Sequence, residues 1–368
     1  MSEKKVTHVV GARPNFMKAA PVLHAIGARG GFAQSLIHTG QHYDANMSEV
    51  FFGQLGMPRP DVNLEIGSGS HAVQTAKIMM GLEEELTARR PDLVLVYGDV
   101  NSTVAAALVC AKLGVKVGHV EAGLRSFDRT MPEEINRLVT DQLADLLFTP
   151  SADGDENLLR EGVDPSKVHL VGNVMIDTLV RLRPAAEARW PELSAGHGLP
   201  DGGYALVTLH RASNVDDAGW LRSMLETLDE LAARLPVVFP IHPRTRQRLP
   251  GAGWEGPRGA GLRLTEPVGY LDFLALQAHA AVVITDSGGV QEETTYLGVP
   301  CLTVRENTER PVTISSGTNV LVGRDLGRLR AEAERVLAGG GVGSRHEPPP
   351  LWDGRAGERI AGVLAQSL

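Results

Sequence analysis

Short β-branched apolar runs alternate with stretches of helical periodicity along the first half of the chain. Val6–Val10 and Gln34–Thr39 read as strands, with a helix over Asn15–Arg29 between them. Ala72, Ala76, Met79, Leu82 and Leu86 recur at helical spacing, and Pro91 closes that helix. Leu93–Tyr97 is apolar without interruption, the pattern of a strand covered on both faces. Ser102–Leu113 reads as a helix stopped by Gly114, and Val115–Val120 as the next strand. This βαβ rhythm predicts a parallel sheet wrapped by helices.

After a strand at Val168–Val171 and a helix following Asn173 the rhythm breaks. Pro184, Pro191, Gly196, Gly198, Pro200, Gly202 and Gly203 punctuate one short stretch, which reads as a linker or domain crossing. The rhythm then resumes, with strands at Ala205–Leu209, Val237–Ile241, Val282–Thr285 and Cys301–Val304. Gly339–Pro350 reads as a loose surface segment, and Ala356–Leu364 as a closing amphipathic helix. The expected class is α/β, two doubly wound domains facing across a cleft. Open α/β sheets bind ligands beyond the carboxyl ends of their strands, so functional residues are sought there.

A chain of 368 residues exceeds what one core usually serves, consistent with two domains. Its formal charge of −8 argues against nucleic-acid or membrane-surface partners, so cations gathered at a site stand out. Cys110 and Cys301 lie in apolar runs without metal-type spacing and read as buried thiols. The charged start Met1–Lys5 lacks a signal-peptide core and no stretch could span a bilayer; the expected location is the cytoplasm.

Three carboxylates follow strands or open helices at the expected edge. Asp99 follows Leu93–Tyr97, Glu121 follows Val115–Val120, and Glu133 stands after Pro132, a residue suited to a first helical turn. Taken singly, Asp99 could cap a helix and Glu133 or Glu134 could decorate one. Taken together beside one cleft, clustered carboxylates drive their pKa values apart and so supply an acid and a base. Anion-binding chemistry is separate. Thr285-Asp286-Ser287-Gly288-Gly289 passes from strand to helix, a turn whose N–H groups suit a diphosphate, and Glu293 one turn on suits ribose hydroxyls. Arg13 and Lys18 follow the first strand, where a phosphate or sugar could meet them. His210-Arg211 and His242-Pro243-Arg244 each end a strand with a His near an Arg, which favours a phosphate role.

The first βα turn has one glycine where a dinucleotide fingerprint needs three. No Walker loop and no convincing metal spacing occurs, so neither NAD, ATP nor a metal is expected.

Several blocks, in order, resemble one family. These are Gly11-Ala12-Arg13-Pro14, Thr39-Gly40-Gln41-His42, Gly98-Asp99-Val100-Asn101-Ser102-Thr103, His119-Val120-Glu121-Ala122-Gly123-Leu124-Arg125, Met131-Pro132-Glu133-Glu134-Ile135-Asn136-Arg137, Leu209-His210-Arg211, Thr285-Asp286-Ser287-Gly288-Gly289 and Glu309-Arg310-Pro311. They resemble the non-hydrolysing UDP-N-acetylglucosamine 2-epimerases. The resemblance implies a glycosyltransferase-B-type fold of two Rossmann-like domains, residues 1–178 with 354–368 and residues 179–353. The first would carry the catalytic carboxylates and meet the sugar; the second would bind UDP. It implies a homodimer and an elimination that expels UDP from C1 as the C2 proton leaves, giving 2-acetamidoglucal, followed by re-addition. Asp99, Glu121 and Glu133 would be the essential carboxylates, assisted by Lys18 and His210. Arg13, Arg137, His242, Ser287, Gly288 and Gly289 would hold substrate or its phosphates, Glu293 the ribose, Phe273 the uracil region and Arg310 the nucleotide side. A C2–H beside no carbonyl is barely acidic, so an enzyme must oxidise C3 or expel the anomeric group; without a nicotinamide site, expulsion is the better account.

Ser213 departs from a Glu common in the family, Ser126–Met131 is short, and the choice of Glu133 over Glu134 rests on alignment to Pro132. The run Gln41-His42-Tyr43-Asp44 and an Arg-free Ser68–His71 give no reason to expect activation by a second substrate molecule. Rival readings are a 2-epimerase of a UDP-2,3-diacetamido uronic acid, a hydrolysing epimerase, a UDP-sugar glycosyltransferase and a catalytically dead UDP-sugar sensor.

Overall fold

A computed structural model describes residues 3–41, 52–200, 203–340 and 347–368. The chain divides into one compact unit of Met1–Thr178 with Pro350–Leu368 and a second of Leu179–Pro349. The first is built on strands β1 (Lys4–Val10), β2 (Phe32–His38), β3 (Val62–Asn63), β4 (Leu93–Tyr97), β5 (Lys116–Val120), β6 (Leu146–Thr149) and β7 (Val168–Leu170), in the order β3-β2-β1-β4-β5-β6-β7. The second holds β8 (Ala205–Thr208), β9 (Val237–Pro240), β10 (Leu262–Thr265), β11 (Val282–Thr285), β12 (Cys301–Thr303) and β13 (Asn319–Leu321), in the order β10-β9-β8-β11-β12-β13. Every pairing is parallel. Each sheet reverses direction of winding beside its first strand, between β1 and β4 and between β8 and β11. Such a switch point leaves a crevice at the strand ends.

All five residues of β4 are buried, as the uninterrupted apolar run requires of a central strand. The helix His71–Arg89 buries Gln74, Ile78, Leu82 and Leu86. The inward face is therefore turned from the one expected: Ala72 and Ala76 are exposed and Met79 half-buried, because the polar Gln74 is drawn inward by hydrogen bonds to the Gln41 and Gly67 carbonyls.

The Pro/Gly-rich stretch is not an extended linker. The helix Val174–Glu187 runs through Pro184, and Trp190–His197 is a second helix with proline in its first turn; Asp201 and Gly202 lie outside the described residues. Proline suits a first turn, where its missing N–H would be unpaired anyway. The boundary between units falls inside the first of these helices. Of the segment expected to be loose, residues 341–346 lie outside the described ones.

The chain returns to the first unit at Pro350, ahead of the expected residue 354. Trp352 is buried there and donates its indole N–H to the Pro150 carbonyl at 2.9 Å. The closing helix Ala356–Ser367 starts on Asp177, whose carboxylate accepts the N–H groups of Ala356 and Gly357 at 3.0 and 2.7 Å. Burial pushes the Asp177 carboxyl up to about 6, outweighing those two N–H groups. The folded value lies above the ordinary 3.8, so this group's stabilising protonated form is complete below that value and lost as pH rises through about 6. Relative to the non-titrating Asp177→Asn, the wild type should gain up to about 3 kcal/mol on going from about pH 7 to about pH 4. Urea unfolding of the two proteins across that range measures it, and a gap that ignores pH would contradict the assignment.

Candidate active site

In the first unit the loops after β1, β4 and β5 converge at the switch point. Asn15 ties the first to the second: its Oδ1 accepts the Gly11 and Ala12 N–H groups at 2.9 and 3.1 Å, and its Nδ2 donates to the Tyr97 carbonyl at 2.8 Å. Lys18, one turn into the helix Arg13–Arg29, is buried and ion-paired with Glu121. Gly98 makes that path possible. Its φ is +62°, and a Cβ there would stand 2.6 Å from Lys18 Nζ. Glu121 itself has φ +71°, left-handed backbone that costs a non-glycine residue on the order of 1–3 kcal/mol and is concentrated at functional sites.

Asp99 does not cap the helix Asn101–Leu113; Val100 occupies that position. The Asp99 carboxylate instead pairs with Arg137, and its carbonyl accepts Asn136 Nδ2 at 2.8 Å. Arg137 is buried and also donates from Nε and Nη2 to Glu134 at 3.0 and 2.7 Å. Glu134 is buried too, accepting the Ser126 and Phe127 N–H groups at 3.0 and 2.9 Å. Burial raises its pKa, but the Ser126 N–H and the Arg137 guanidinium outweigh this and hold the carboxyl below its ordinary value. These two neighbouring glutamates thus part company. Glu134 anchors the loop before its helix, whereas the half-buried Glu133 lines a cavity of about 280 Å³ with Asp99, Gln41, His71, Asn101 and Asn136. His42, Tyr43 and Asp44 lie outside the described residues.

In the second unit, the loops after β8 and β11 meet through Asp286. This carboxylate is fully buried and accepts the N–H groups of His210 and Arg211 at 3.0 and 2.9 Å and Asn214 Nδ2 at 3.1 Å. His210 Nδ1 lies 3.1 Å from it, and the His210 ring is 5.5 Å from that of the exposed His242. Burial, with the His210 charge nearby, lowers the His242 pKa.

Ser287 is the N-cap of the helix Gly288–Leu297. Arg310 lies against that first turn, its Nη1 2.6 Å from where a Gly288 Cβ would be, and pairs with Glu292 at 2.8 Å. Arg305 binds Glu309 through two bonds of 2.9 and 2.6 Å. Burial opposes ionisation of Glu309, yet Arg305 and Arg310 hold its carboxyl far below the ordinary range. Burial and the Arg305 charge lower the Arg211 pKa in turn. An N-terminus flanked by buried guanidinium groups is suited to a phosphate. Glu293 is buried and accepts the Tyr270 hydroxyl at 2.9 Å; Phe273, half-buried, packs on the core beside Tyr204 and Val290. Arg13 is exposed at the start of its helix.

The cavity residues His71, Gln74, Asn101 and Asn136 were not expected from sequence as site residues, nor was the Arg305–Glu309 pair. Asn101 and Asn136 stand inside recognisable blocks and were within reach; His71 and Gln74 lie on a helix whose periodicity gives no hint that they face a cavity. Among the described residues, no three His, Cys, Asp or Glu side chains group to hold a metal, and no helix is long and apolar enough to cross a membrane.

The model of a family described as UDP-N-acetylglucosamine 2-epimerase matches residues 24–365. The UDP-N-acetylglucosamine 2-epimerase of Methanocaldococcus jannaschii is 42% identical over 365 residues, 98% of each chain. The UDP-2,3-diacetamido-2,3-dideoxy-D-glucuronate 2-epimerase of Pseudomonas aeruginosa is 41% identical, covering 98% of this chain and 99% of that one. A crystal structure of the M. jannaschii enzyme in complex with UDP-GlcNAc and UDP superposes with a TM-score of 0.88 at 41% identity, covering 98% of this chain and 99% of that one. Fold and comparisons together put the chain in the glycosyltransferase-B-type class of α/β proteins, with two doubly wound parallel sheets. Within that class it belongs to the UDP-N-acetylglucosamine 2-epimerase family, and it is an enzyme of the isomerase type.

Proposed function

We propose that the enzyme interconverts UDP-N-acetylglucosamine and UDP-N-acetylmannosamine by anti elimination and re-addition of UDP. The observation that carries this reading is Glu121, buried, held in left-handed backbone and ion-paired with Lys18 at the end of β5. A base removes the C2 proton while the C1–O bond breaks, leaving a C1=C2 double bond in bound 2-acetamidoglucal and free UDP beside it. UDP then re-forms the C1–O bond as C2 is protonated on the opposite face. Two faces of one carbon need two groups, and Asp99, Glu121 and Glu133 supply them. Lys18 supports Glu121, and Arg137 acts through Asp99. On the second unit, Ser287, Gly288 and Gly289 with Arg310 bind the diphosphate, His210 and His242 lie beside it, Glu293 takes the ribose and Phe273 the uracil side; on the first unit, Arg13 supplies a further cation for the substrate.

The resemblance to the P. aeruginosa enzyme supports a second reading, a diacetamido uronate as substrate. Against it, among the described residues lining the cavity only His71 can carry positive charge, while Asp99 and Glu133 would face the extra carboxylate. Proton NMR in deuterated water without added cofactor tests both sugars. Deuterium at C2 together with the mannosamine product supports the first reading; exchange with the uronate alone supports the second; exchange with neither sinks both.

We further propose a homodimer. The family resemblance carries that proposal, and Val73 and Met80 on the helix His71–Arg89, 51% and 72% exposed, are apolar side chains a second copy could cover. Light scattering that gives the mass of one chain would overturn this.

Glu133→Gln should lower kcat by about 10²-fold with an unchanged thermal midpoint. Glu134→Gln, which weakens a buried ion pair, should lower the midpoint instead. Full activity in Glu133→Gln with a kcat loss in Glu134→Gln at unchanged stability would reverse the assignment.

A further inference from the structure

His119 on β5 is fully buried, in register between the apolar Val96 of β4 and Leu147 of β6. Each of its ring nitrogens meets an oxygen. Nε2 lies 2.8 Å from the Gly98 carbonyl, and Nδ1 lies 2.6 Å from Asp141 Oδ1 in the helix Pro132–Leu143. A carbonyl oxygen only accepts, so Nε2 carries a proton. The other Asp141 oxygen faces Arg125 Nη1 at 2.7 Å and the Gly123 N–H at 3.2 Å. That oxygen thus meets a guanidinium and a backbone N–H, the surroundings of an ionised carboxylate. An ionised carboxylate also only accepts, so Nδ1 carries a proton as well. An imidazole protonated on both nitrogens is a cation.

We propose that His119 is a buried imidazolium and a positioning residue for Asp99 and Glu121. Its catalytic half rests on the elimination reading above. The Gly98 peptide is held to β5 twice: its N–H donates to the Val120 carbonyl at 3.0 Å, and its carbonyl accepts from His119. Asp99 follows directly. Asp141, the ring's other partner, fixes the Gly123 N–H just beyond Glu121. One stack therefore joins the turn bearing Asp99 to the turn bearing Glu121. A neutral ring has a single N–H and would release one of them. Buried charge is balanced, because Arg125 on the far side of Asp141 is clamped by Glu161 at 2.8 and 2.6 Å. His119 and Arg125 thus stand against Asp141 and Glu161, the arrangement in which buried ions are tolerated.

The test uses substrate-free enzyme carrying nitrogen-15 histidine, with His119 assigned from the signals lost in His119→Asn. At neutral pH both nitrogens should be proton-bearing at the imidazolium shift. One bare nitrogen at neutral pH would overturn the proposal without reference to any substrate. Asp141→Asn removes the anionic acceptor, so the ring should fall to a neutral tautomer. With it kcat should drop about 10²-fold, the scale of a small misplacement of catalytic groups, while KM stays close to wild type and Asp141→Glu restores part of the loss. A neutral ring with undiminished kcat would overturn the positioning role. A wild type that turns over neither sugar would count against the elimination reading alone, since the NMR signature stands without it.

Discussion

Replacing Glu121 by Gln should reduce kcat by roughly 10²–10⁴-fold and abolish deuterium entry at C2. The change removes an acid–base group without altering its size. It also leaves Lys18 facing a neutral amide, although both side chains are almost wholly buried, 8% and 3% exposed. Breaking one side of a buried ion pair costs about 3–5 kcal/mol, so the variant should also unfold at lower denaturant. The positive φ at this position separates the two losses. Glu121→Ala and Glu121→Gly both remove the carboxylate and its contact with Lys18, and only glycine also relieves the left-handed strain. Both should be as inactive as Glu121→Gln, and the glycine variant should unfold at higher denaturant than the alanine one. Retained exchange in Glu121→Gln would remove this residue from the chemistry; equal stability of the alanine and glycine variants would refute the strain.

Asp286→Ala should destabilise the second unit by about 3–5 kcal/mol. The lost carboxylate serves two backbone N–H groups, the Asn214 amide and the His210 ring, all at a fully buried position. Alanine would leave the two backbone N–H groups without their acceptor, each a desolvation cost of about 1–3 kcal/mol before relaxation, while the Asn214 amide keeps the Val304 carbonyl at 2.9 Å and the half-exposed His210 ring can turn to water. Burial raises the Asp286 pKa, but His210, Asn214 and the Arg211 N–H more than offset it and hold the carboxyl below 3.8. A depressed folded value means stability that is fully present above the unfolded pKa and lost as pH falls through the folded one. Measurement at pH 7 therefore captures the whole contribution, and Asp286→Asn, which keeps an acceptor, should lose less than alanine. The same variants should bind UDP more weakly, since His210 and Arg211 are set by this carboxylate. An unchanged urea midpoint for Asp286→Ala would refute the bracing role.

Both variants act where a strand ends and the chain turns, and that placement was legible early. Uninterrupted apolar runs such as Leu93–Tyr97 need burial on both faces, so local pattern alone required parallel sheets with chemistry at their strand ends. Four short strands were not legible, although others as short, Val282–Thr285 and Cys301–Thr303 among them, were read from their apolar runs. Val62–Asn63, Leu146–Thr149, Leu262–Thr265 and Asn319–Leu321 exist because a neighbouring strand pairs with them, and a short run carries too few positions for a period. Proline misled in the crossing segment, because its effect depends on where in a helix it falls: Pro191 opens one, and Pro184 stands inside another.

The sequence by itself determined the α/β class, the ordering of strand and helix, and a set of acids and cations placed just past strand ends. Those follow from side-chain periodicity and turn chemistry, which are local. Only the tertiary structure decided which of Glu133 and Glu134 meets the cavity, that Arg137 spends its charge on Asp99 and Glu134, and that His119 has acceptors at both nitrogens. Adjacent residues of one type are identical in composition and differ only in direction. That direction is set by partners up to dozens of positions away, so it emerges only when the chain has closed on itself.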